Sequence, residues 1–301
     1  MGRKICVVTG SRADYAALRP LLYELKDDRT LKLQLVATGM HLSSDFGLTY
    51  REIEKDGFKI DEKIKILSSS DTPAGISKSM GLAMTGLAKA YERLAPDILV
   101  VYGDRFEIFS AASAALVSRI PVAHISGGAI TEGALDDSFR HSITKMSHLH
   151  FTTTEENRKR VIQLGEDPGR VFNTGEIDLE NIRRLKLLSR KMLEEELNFK
   201  LNKHNLLVTF HPVTLEANTS KRQFGNLLHA LKGLRKTSIV FTKANADTDG
   251  RIINKMIDEY VTANSDKAVA FDSMGKIRYL STMKIVDAVV GNSSSGIVEA
   301  P

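Results

Sequence analysis

Residues 100–145 read VVYGDRFEIFSAASAALVSRIPVAHISGGAITEGALDDSFRHSITK. An apolar run, Ile98–Tyr102, ends abruptly at Gly103-Asp104-Arg105 and predicts a strand. After an alanine-rich helical segment, a second predicted strand, Pro121–Ile125, ends in Ser126-Gly127-Gly128. Two strands therefore finish side by side in polar, glycine-containing loops. In open α/β sheets, ligands bind beyond the carboxyl ends of the strands, so these loops predict a binding site.

Strand and helix patterns alternate along the rest of the chain in two successive series. The first begins at Ile5–Thr9, an apolar and β-branched run typical of a parallel strand buried on both faces. The second begins at Asn205–Phe210. Two such series predict an α/β fold with two parallel-sheet domains that face each other across a cleft. Residues 176–200 are charged and helical, so we assign the domains to 1–175 and 201–301, joined by this helical connection.

Some elements are predicted from particular residues. The segment Pro73–Leu94 predicts a long helix, because proline is tolerated in a first helical turn. Near the end of the chain we predict a helix at Met274–Thr282 and a strand at Ile285–Val290. The loop Gly291–Gly296 follows, and a further helix is expected to begin near Ile297.

Composition excludes several classes of protein. Among 301 residues, 42 Lys+Arg and 37 Asp+Glu give a net charge of +5, without any basic block, so nucleic acid is not indicated. Cys6 is the single cysteine, which excludes an intramolecular disulfide and a thiolate cluster. The histidines lack a zinc-binding spacing such as HExxH, so no metal is expected. No apolar run reaches membrane-spanning length and no signal-peptide pattern precedes Ile5, so we expect a cytoplasmic protein without membrane association.

The loop Gly291–Gly296, GNSSSG, predicts an anion site. Backbone N–H groups and serine hydroxyls at a helix start can bind phosphate, although an ordinary serine N-cap remains the alternative. Glu299 lies just beyond this loop. Its carboxylate can accept hydrogen bonds from ribose hydroxyls, or can simply stabilise the start of the helix by its negative charge. Arg12 follows the first strand of the first series and is equally compatible with a phosphate contact and a solvated loop. His211 ends the first strand of the second series, as a candidate acid or phosphate donor.

Four charged residues within 100–145, Asp104, Asp136, Asp137 and Arg140, are examined as candidates for chemistry. Asp104 follows a strand end, where a carboxylate can transfer a proton or can cap the next helix. Asp136 and Asp137 precede Arg140 by four and three residues, a spacing that puts charge partners on one helix face. From the spacing alone, an N-cap with a surface ion pair is the favoured explanation.

Seven segments together carry a resemblance to a known family. They are TGSRADY, GMHLS, VVYGDRFE, AHISGG, ALDDSFRHSITK, TFHPVT and GNSSSGIVEAP. In this order they resemble the hydrolysing UDP-N-acetylglucosamine 2-epimerases, in the branch that starts the synthesis of sialic and legionaminic-type acids. The resemblance implies a glycosyltransferase-B architecture of two Rossmann-like domains, the second of them cut short at Pro301.

The resemblance also implies an activity. Such enzymes bind UDP-N-acetylglucosamine or a diacetamido-trideoxy relative and eliminate UDP to leave a glycal. They then add water to give the C2-inverted free sugar, such as N-acetylmannosamine, without a metal or another cofactor. The implied partners are the UDP-sugar and further copies of the chain, in a dimer or tetramer.

The resemblance assigns roles to individual positions. Arg12 and His211 would lie near the leaving diphosphate. Ser293 and Ser294 would bind the phosphates, and Glu299 would contact the ribose. Residues of the catalytic centre would be Asp104, Asp136 and Arg140, with His211 attending departure of the diphosphate. Residues near the sugar would be His41, Asn245 and Asp247.

The sequence departs from the family at two positions. Ser126 and Ala129 stand where relatives carry an acidic residue, so one proton-transfer carboxylate is missing, and Glu132 is the candidate substitute. Two alternatives to the epimerase therefore remain. One is a glycosyltransferase of the same architecture, and the other is a catalytically impaired protein that binds a UDP-sugar.

Overall fold

The structure is a computed structural model that describes residues 2–68, 70–177, 179, 182, 185–216 and 218–300. The chain divides into two compact units, Met1–Glu180 and Asn181–Pro301, called here the first and the second unit. Each contains its own parallel sheet. The predicted α/β fold with two parallel-sheet domains is therefore confirmed.

The boundaries predicted around the helical connection stay a prediction. The connection was assigned to residues 176–200, and 178, 180, 181, 183 and 184 lie outside the described residues. Its described part contains helix α7 Arg190–Leu197, which belongs to the second unit.

The first unit is built on a seven-stranded sheet in the order β3-β2-β1-β4-β5-β6-β7. Its strands are β1 Arg3–Thr9, β2 Leu31–Thr38, β3 Glu62–Ile64, β4 Ile98–Tyr102, β5 Val122–Ile125, β6 Leu149–Thr152 and β7 Val171–Asn173. Alternate side chains of β1 and β4 enter two apolar clusters, Val8 and Val101 in one and Val7 and Val100 in the other. Burial on both faces explains why these strands are continuously apolar.

Helices connect these strands. They are α1 Arg12–Asp27, α2 Tyr50–Lys55, α3 Pro73–Leu94, α4 Phe106–Val117, α5 Leu135–Met146 and α6 Glu155–Gln163. Helix α3 has the bounds that the sequence predicted. Its start is fixed by Thr72, whose hydroxyl accepts from the Gly75 N–H at 3.2 Å, and by Pro73 in the first turn.

The second unit has a four-stranded sheet in the order β10-β9-β8-β11. Its strands are β8 His204–Thr209, β9 Thr237–Thr242, β10 Ala268–Phe271 and β11 Ala288–Gly291. Besides α7, its helices are α8 Ser220–Lys232, α9 Gly250–Ala263, α10 Gly275–Ile285 and α11 Ser295–Val298. Across the described parts of both units, no helix combines the length and the apolar composition that crossing a bilayer requires.

The strand predicted at Ile285–Val290 is wrong at its beginning. Helix α10 continues to Ile285, and its last turn is closed by the Val286 N–H, which donates to the Thr282 carbonyl at 2.9 Å. Ile285 and Val286 pack on the apolar cluster that contains Leu193 of α7. A short apolar run therefore spans a helix end and a strand start, and periodicity alone cannot separate the two.

In each sheet there is one position where the strand order changes direction. In the first unit the chain adds β2 and β3 on one side of β1, then β4 to β7 on the other. In the second unit it adds β9 and β10 on one side of β8, then β11 on the other. These switch points lie between β1 and β4 and between β8 and β11, where ligands of open α/β sheets bind.

Candidate functional site

The loop after β1 is tied tightly to the start of α1. The Asp14 carboxylate accepts from the N–H groups of Gly10 and Ser11, each at 2.7 Å, while Ser11 caps the helix. Glycine is required at position 10, because a Cβ there would lie 2.4 Å from Cγ of the buried Glu107. Arg12, the first residue of α1, is thereby held half-buried at the carboxyl end of β1.

Asp104 follows β4 at the same switch point and is bound by Arg140 of α5. Arg140 donates to one oxygen of Asp104 through Nε, at 2.8 Å, and through Nη2. Helix α4 has Arg105 as its N-cap and no side-chain capping bond, so Asp104 is not the helix cap that was the alternative. Arginine and carboxylate meet through two N–H groups, a geometry that fixes both side chains.

Further partners immobilise the same arginine. The Arg140 guanidinium donates to the Ala129 carbonyl at 2.9 Å and to the Thr131 hydroxyl at 2.8 Å. Asp137 lies 3.5 Å from it, one helical turn away, and accepts from the Thr131 N–H at 2.8 Å. Arg140 is only 6% exposed, so the predicted ion pair belongs to a partly buried network around a buried guanidinium.

The loop after β5, where the sequence predicts that one carboxylate of the family is missing, contacts this network. Ser126 has a backbone φ of 67°, a left-handed conformation that turns the chain sharply after β5. Ala129 contributes its carbonyl to Arg140, as described above. Glu132 is exposed, and Asp136 is half-buried in the first turn of α5. The first unit thus joins Asp104 to Arg140 beyond the end of β4, places Asp136 one turn before Arg140 on α5, and leaves Glu132 at the surface.

His41 is fully buried in the first unit. Its Nε2 lies 3.0 Å from the Thr9 hydroxyl and its Nδ1 lies 2.8 Å from the Thr49 hydroxyl. Burial lowers the pKa of His41 to about 4, so the ring is neutral near pH 7. Both ring nitrogens have protein partners, and the role of His41 as a sugar contact stays a prediction.

His124 of β5 holds the loop that precedes Asp104. Its Nε2 lies 2.8 Å from the Gly103 carbonyl, which can only accept, so Nε2 carries the proton. Nδ1 is then free to accept from the Thr144 hydroxyl at 3.2 Å. Burial lowers the pKa of His124 from 6.5 to about 4.

This burial predicts a loss of stability in acid. The unfolded chain takes up a proton on His124 near pH 6.5, whereas the folded chain does so only near pH 4. Between these values the unfolded state binds more protons, so stability falls as the pH falls, by about 2 kcal/mol at about pH 5 from this residue. Urea unfolding of His124→Gln over this range should show a smaller loss between neutral and acid pH than the wild type. Exposed His229→Gln is the control, and equal pH dependence of the wild type and His124→Gln would contradict the assignment.

In the second unit, the two strands at the switch point are joined by one side chain. The Asn292 amide accepts from the His211 N–H and donates to the His211 carbonyl, each at 2.8 Å. Glycine is required at position 291, because its φ is 139° and a Cβ would lie 1.7 Å from the Thr209 carbonyl oxygen. His211 and the serine loop that follows Gly291 are therefore held side by side.

Helix α10 supports the serine loop from the other side. The Tyr279 hydroxyl lies 2.5 Å from the Ser295 hydroxyl. Lys276 lies one turn earlier, and its Nζ is 2.5 Å from Oε1 of Glu299. The side chains of Lys276 and Glu299 are 11% and 9% exposed. The predicted ribose contact is therefore a largely buried, ion-paired carboxylate.

Asn245 and Asp247 lie in the loop after β9, beside the strand that carries His211. The loop is closed by its own contacts, since the Asp247 carbonyl accepts from the Gly250 N–H at 2.9 Å. Asn254 of α9 donates to and accepts from the backbone of Ala244 at the start of the loop. Both residues lie near the carboxyl edge of the second sheet, and their contact with a sugar stays a prediction.

Sequence reasoning missed several residues that hold the predicted ones in place. They are Glu107, Thr131, Lys276, Tyr279 and Asn292. Asn292 lies inside the GNSSSG motif, which could have signalled a role. The spacing of Lys276 and Tyr279 places both on one helix face, but no local pattern signals that their partners follow more than ten residues later.

Comparison with known proteins identifies the family. Residues 23–301 match the family described as UDP-N-acetylglucosamine 2-epimerase. The chain belongs to this family. The predicted family and the prediction of an enzyme of this class are therefore confirmed.

Two relatives and one solved structure are similar over nearly the whole chain. The chain is 48% identical to GDP/UDP-N,N'-diacetylbacillosamine 2-epimerase (hydrolyzing) of Campylobacter jejuni, over 99% of the chain and 78% of the relative. It is 33% identical to UDP-N,N'-diacetylbacillosamine 2-epimerase (hydrolyzing) of Legionella pneumophila, over 100% of the chain and 78% of the relative. The Neisseria meningitidis UDP-GlcNAc 2-epimerase bound to UDP-GlcNAc matches with a TM-score of 0.76 at 18% identity, over 98% of this chain and 78% of that one. This last likeness concerns the fold alone and supports the Rossmann-like, glycosyltransferase-B prediction.

Proposed function

We propose that the protein is a hydrolysing 2-epimerase that converts a UDP-linked N,N'-diacetylated sugar to UDP and the C2-inverted free sugar. The Campylobacter jejuni relative is named for such a substrate at 48% identity, and the Legionella pneumophila relative at 33%. These names favour a diacetamido-trideoxyhexose over UDP-N-acetylglucosamine, which the sequence alone left equally open. Neither name supports the glycosyltransferase alternative.

One observation carries the proposal. In each unit, residues suited to this reaction flank the switch point of the sheet. Arg12 and Asp104 follow β1 and β4, and His211 and Ser293 follow β8 and β11. Four separate loops therefore present the predicted residue types at the edges where α/β sheets bind ligands.

The reaction needs a base, a stabilised leaving group and a water molecule. A carboxylate removes the proton at C2 while the bond between C1 and the diphosphate oxygen breaks, which gives the glycal and UDP. Water then adds across the C1–C2 double bond, with hydroxide at C1 and a proton delivered to the opposite face of C2. Asp104 is the first candidate for proton transfer, because Arg140 holds its carboxylate in one orientation.

The nucleotide half would be bound by residues of the second unit, and Arg12 is proposed separately as a phosphate contact. The hydroxyls of Ser293 and Ser294 would contact the phosphates, and His211 would attend the departing diphosphate. Glu299 would accept from the ribose. The support for this arrangement is that Asn292 joins the His211 strand end to the serine loop, so both reach one ligand-binding edge.

The missing carboxylate gives a prediction about proton transfer. If Asp136 or Glu132 supplies the second proton step, Asp136→Asn or Glu132→Gln should lower turnover by about two to four orders of magnitude. Asp136 is the stronger candidate, because it is half-buried on the helix that carries Arg140 while Glu132 is exposed. If both variants keep the wild-type turnover, another group performs this proton transfer. Ser126→Glu and Ala129→Glu then test whether restoring the family's carboxylate raises the turnover.

Release of UDP without an acceptor tests the proposed function. The purified protein is incubated with a UDP-diacetamido-trideoxyhexose or with UDP-N-acetylglucosamine, and UDP and free sugar are measured. The epimerase releases both in equal amounts. A glycosyltransferase releases UDP only when an acceptor is added, and the sugar is then bonded to the acceptor instead of released. An impaired binding protein is stabilised by UDP without any turnover.

The proposal includes the assembly and the location expected from the sequence. The protein is proposed to form a dimer or tetramer in the cytoplasm, as the family resemblance implies. Light scattering coupled to size-exclusion chromatography measures the number of subunits, and cell fractionation measures the location. A monomer, or a membrane-bound fraction, would contradict the corresponding statement.

A further inference from the structure

The serine loop of the second unit is supported by two side chains on one face of α10. Lys276 and Tyr279 are three residues apart, a spacing that puts them on neighbouring positions of a helix surface. Tyr279 meets Ser295 at 2.5 Å and Lys276 meets Glu299 at 2.5 Å. A single helix therefore fixes both the start of α11 and the carboxylate that follows it.

The contact between Lys276 and Glu299 leaves acceptor capacity on the carboxylate. Lys276 binds Oε1, and a carboxylate has two oxygens with about four acceptor positions in all. The two side chains are 11% and 9% exposed, so water competes weakly for this contact. Because the Lys276 ammonium binds one oxygen, rotation of the Glu299 carboxylate is limited. Its remaining acceptor positions therefore keep fixed directions.

We infer that Lys276 is a positioning residue that orients Glu299 for the hydroxyls of a ribose, and so sets a preference for ribonucleoside over deoxyribonucleoside diphosphates. The inference rests on the proposed function, in which Glu299 accepts from the ribose. Two adjacent hydroxyls need acceptors with fixed directions, and a carboxylate that rotates freely discriminates poorly between one hydroxyl and two. Lys276 acts through Glu299 and takes no part in the chemistry at C1 and C2.

The test compares the affinities for UDP and 2'-deoxy-UDP by isothermal titration calorimetry. Wild-type protein is expected to bind UDP roughly tenfold to hundredfold more tightly, the effect of a hydrogen bond to a charged group. In Lys276→Met this ratio should fall to within about threefold of unity, while Lys276→Arg keeps most of it. KM for the UDP-sugar should rise in Lys276→Met, and kcat at saturation should stay within about threefold of wild type.

A matched control lies on the same helix. Lys284 is exposed in the last turn of α10, and Lys284→Met should leave the ratio of affinities unchanged. Where Lys276→Met melts below the assay temperature, Lys276→Gln replaces it, because it keeps a donor of similar length without the charge.

The outcomes separate this inference from the proposed function. A folded Lys276→Met or Lys276→Gln variant with wild-type discrimination would overturn the inference, since Lys276 would then only support the fold. Wild-type protein that binds UDP and 2'-deoxy-UDP equally would also overturn it, while UDP binding itself survives. Folded wild-type protein that binds no UDP at all would contradict the proposed function instead.

Discussion

Replacement of Asp104 by asparagine is expected to lower kcat by about two to four orders of magnitude while UDP binding stays near the wild-type level. The asparagine keeps the shape of the side chain and one acceptor oxygen for Arg140 but cannot take up a proton from carbon. Asp104 belongs to the first unit, whereas the residues proposed for the nucleotide, apart from Arg12, belong to the second. The measurement is kcat and KM with the UDP-sugar, together with UDP affinity by calorimetry.

The control for this variant lies at the other end of the same strand. Asp97 precedes β4, is exposed and accepts from the Lys4 N–H at 2.7 Å. Asp97→Asn should leave kcat unchanged, and thermal melts of both variants exclude unfolding as a cause. Turnover that survives in Asp104→Asn would show that proton transfer lies with another residue.

Replacement of Arg140 by methionine is expected to destabilise the fold and to abolish turnover. The change leaves the Asp104 carboxylate, the Ala129 carbonyl and the Thr131 hydroxyl without their shared donor. Removal of one partner from a buried ion pair typically costs several kcal/mol. Since Asp104 is 22% exposed, about 3 kcal/mol is expected here. Urea unfolding measures this loss directly.

A double variant separates the ion pair from the rest of the network. Asp104→Asn combined with Arg140→Met should be less destabilised than the sum of the single changes, because the carboxylate is no longer left unpaired. Arg29 is exposed, and Arg29→Met is the control for loss of an arginine charge. If Arg140→Met is as stable as the wild type, the network does not hold this loop, and the orientation proposed for Asp104 loses its support.

Local signals explain the elements that the sequence predicted correctly. The strand Ile98–Tyr102 and the helix Pro73–Leu94 have their predicted bounds, because a buried β-branched run and a proline at the first helical position are local features. The apolar residues Ile285 and Val286 were assigned to a strand because they precede one directly. Packing against Leu193, about ninety residues earlier in the chain, extended the helix instead.

The candidate site was predictable in its residues and not in its contacts. Spacing put Arg140 within reach of Asp136 and Asp137. It could not show that Arg140 also reaches back 36 residues to Asp104 and so decides against the helix-cap alternative. In the same way, Glu299 was visible as a candidate, whereas its partner Lys276 lies on a preceding helix with no pattern that links them. Such contacts depend on the tertiary fold.

The most direct test of the central claim follows C2 of the sugar by proton NMR in deuterated water. The purified protein is incubated with the UDP-diacetamido-trideoxyhexose, and the free sugar is observed as it forms. Proton removal at C2 with elimination of UDP predicts a C2-inverted free sugar that carries deuterium at C2, formed in step with UDP. A released sugar with retained configuration and its original C2 proton would contradict the account, because the bond to the diphosphate would then have been hydrolysed without any chemistry at C2.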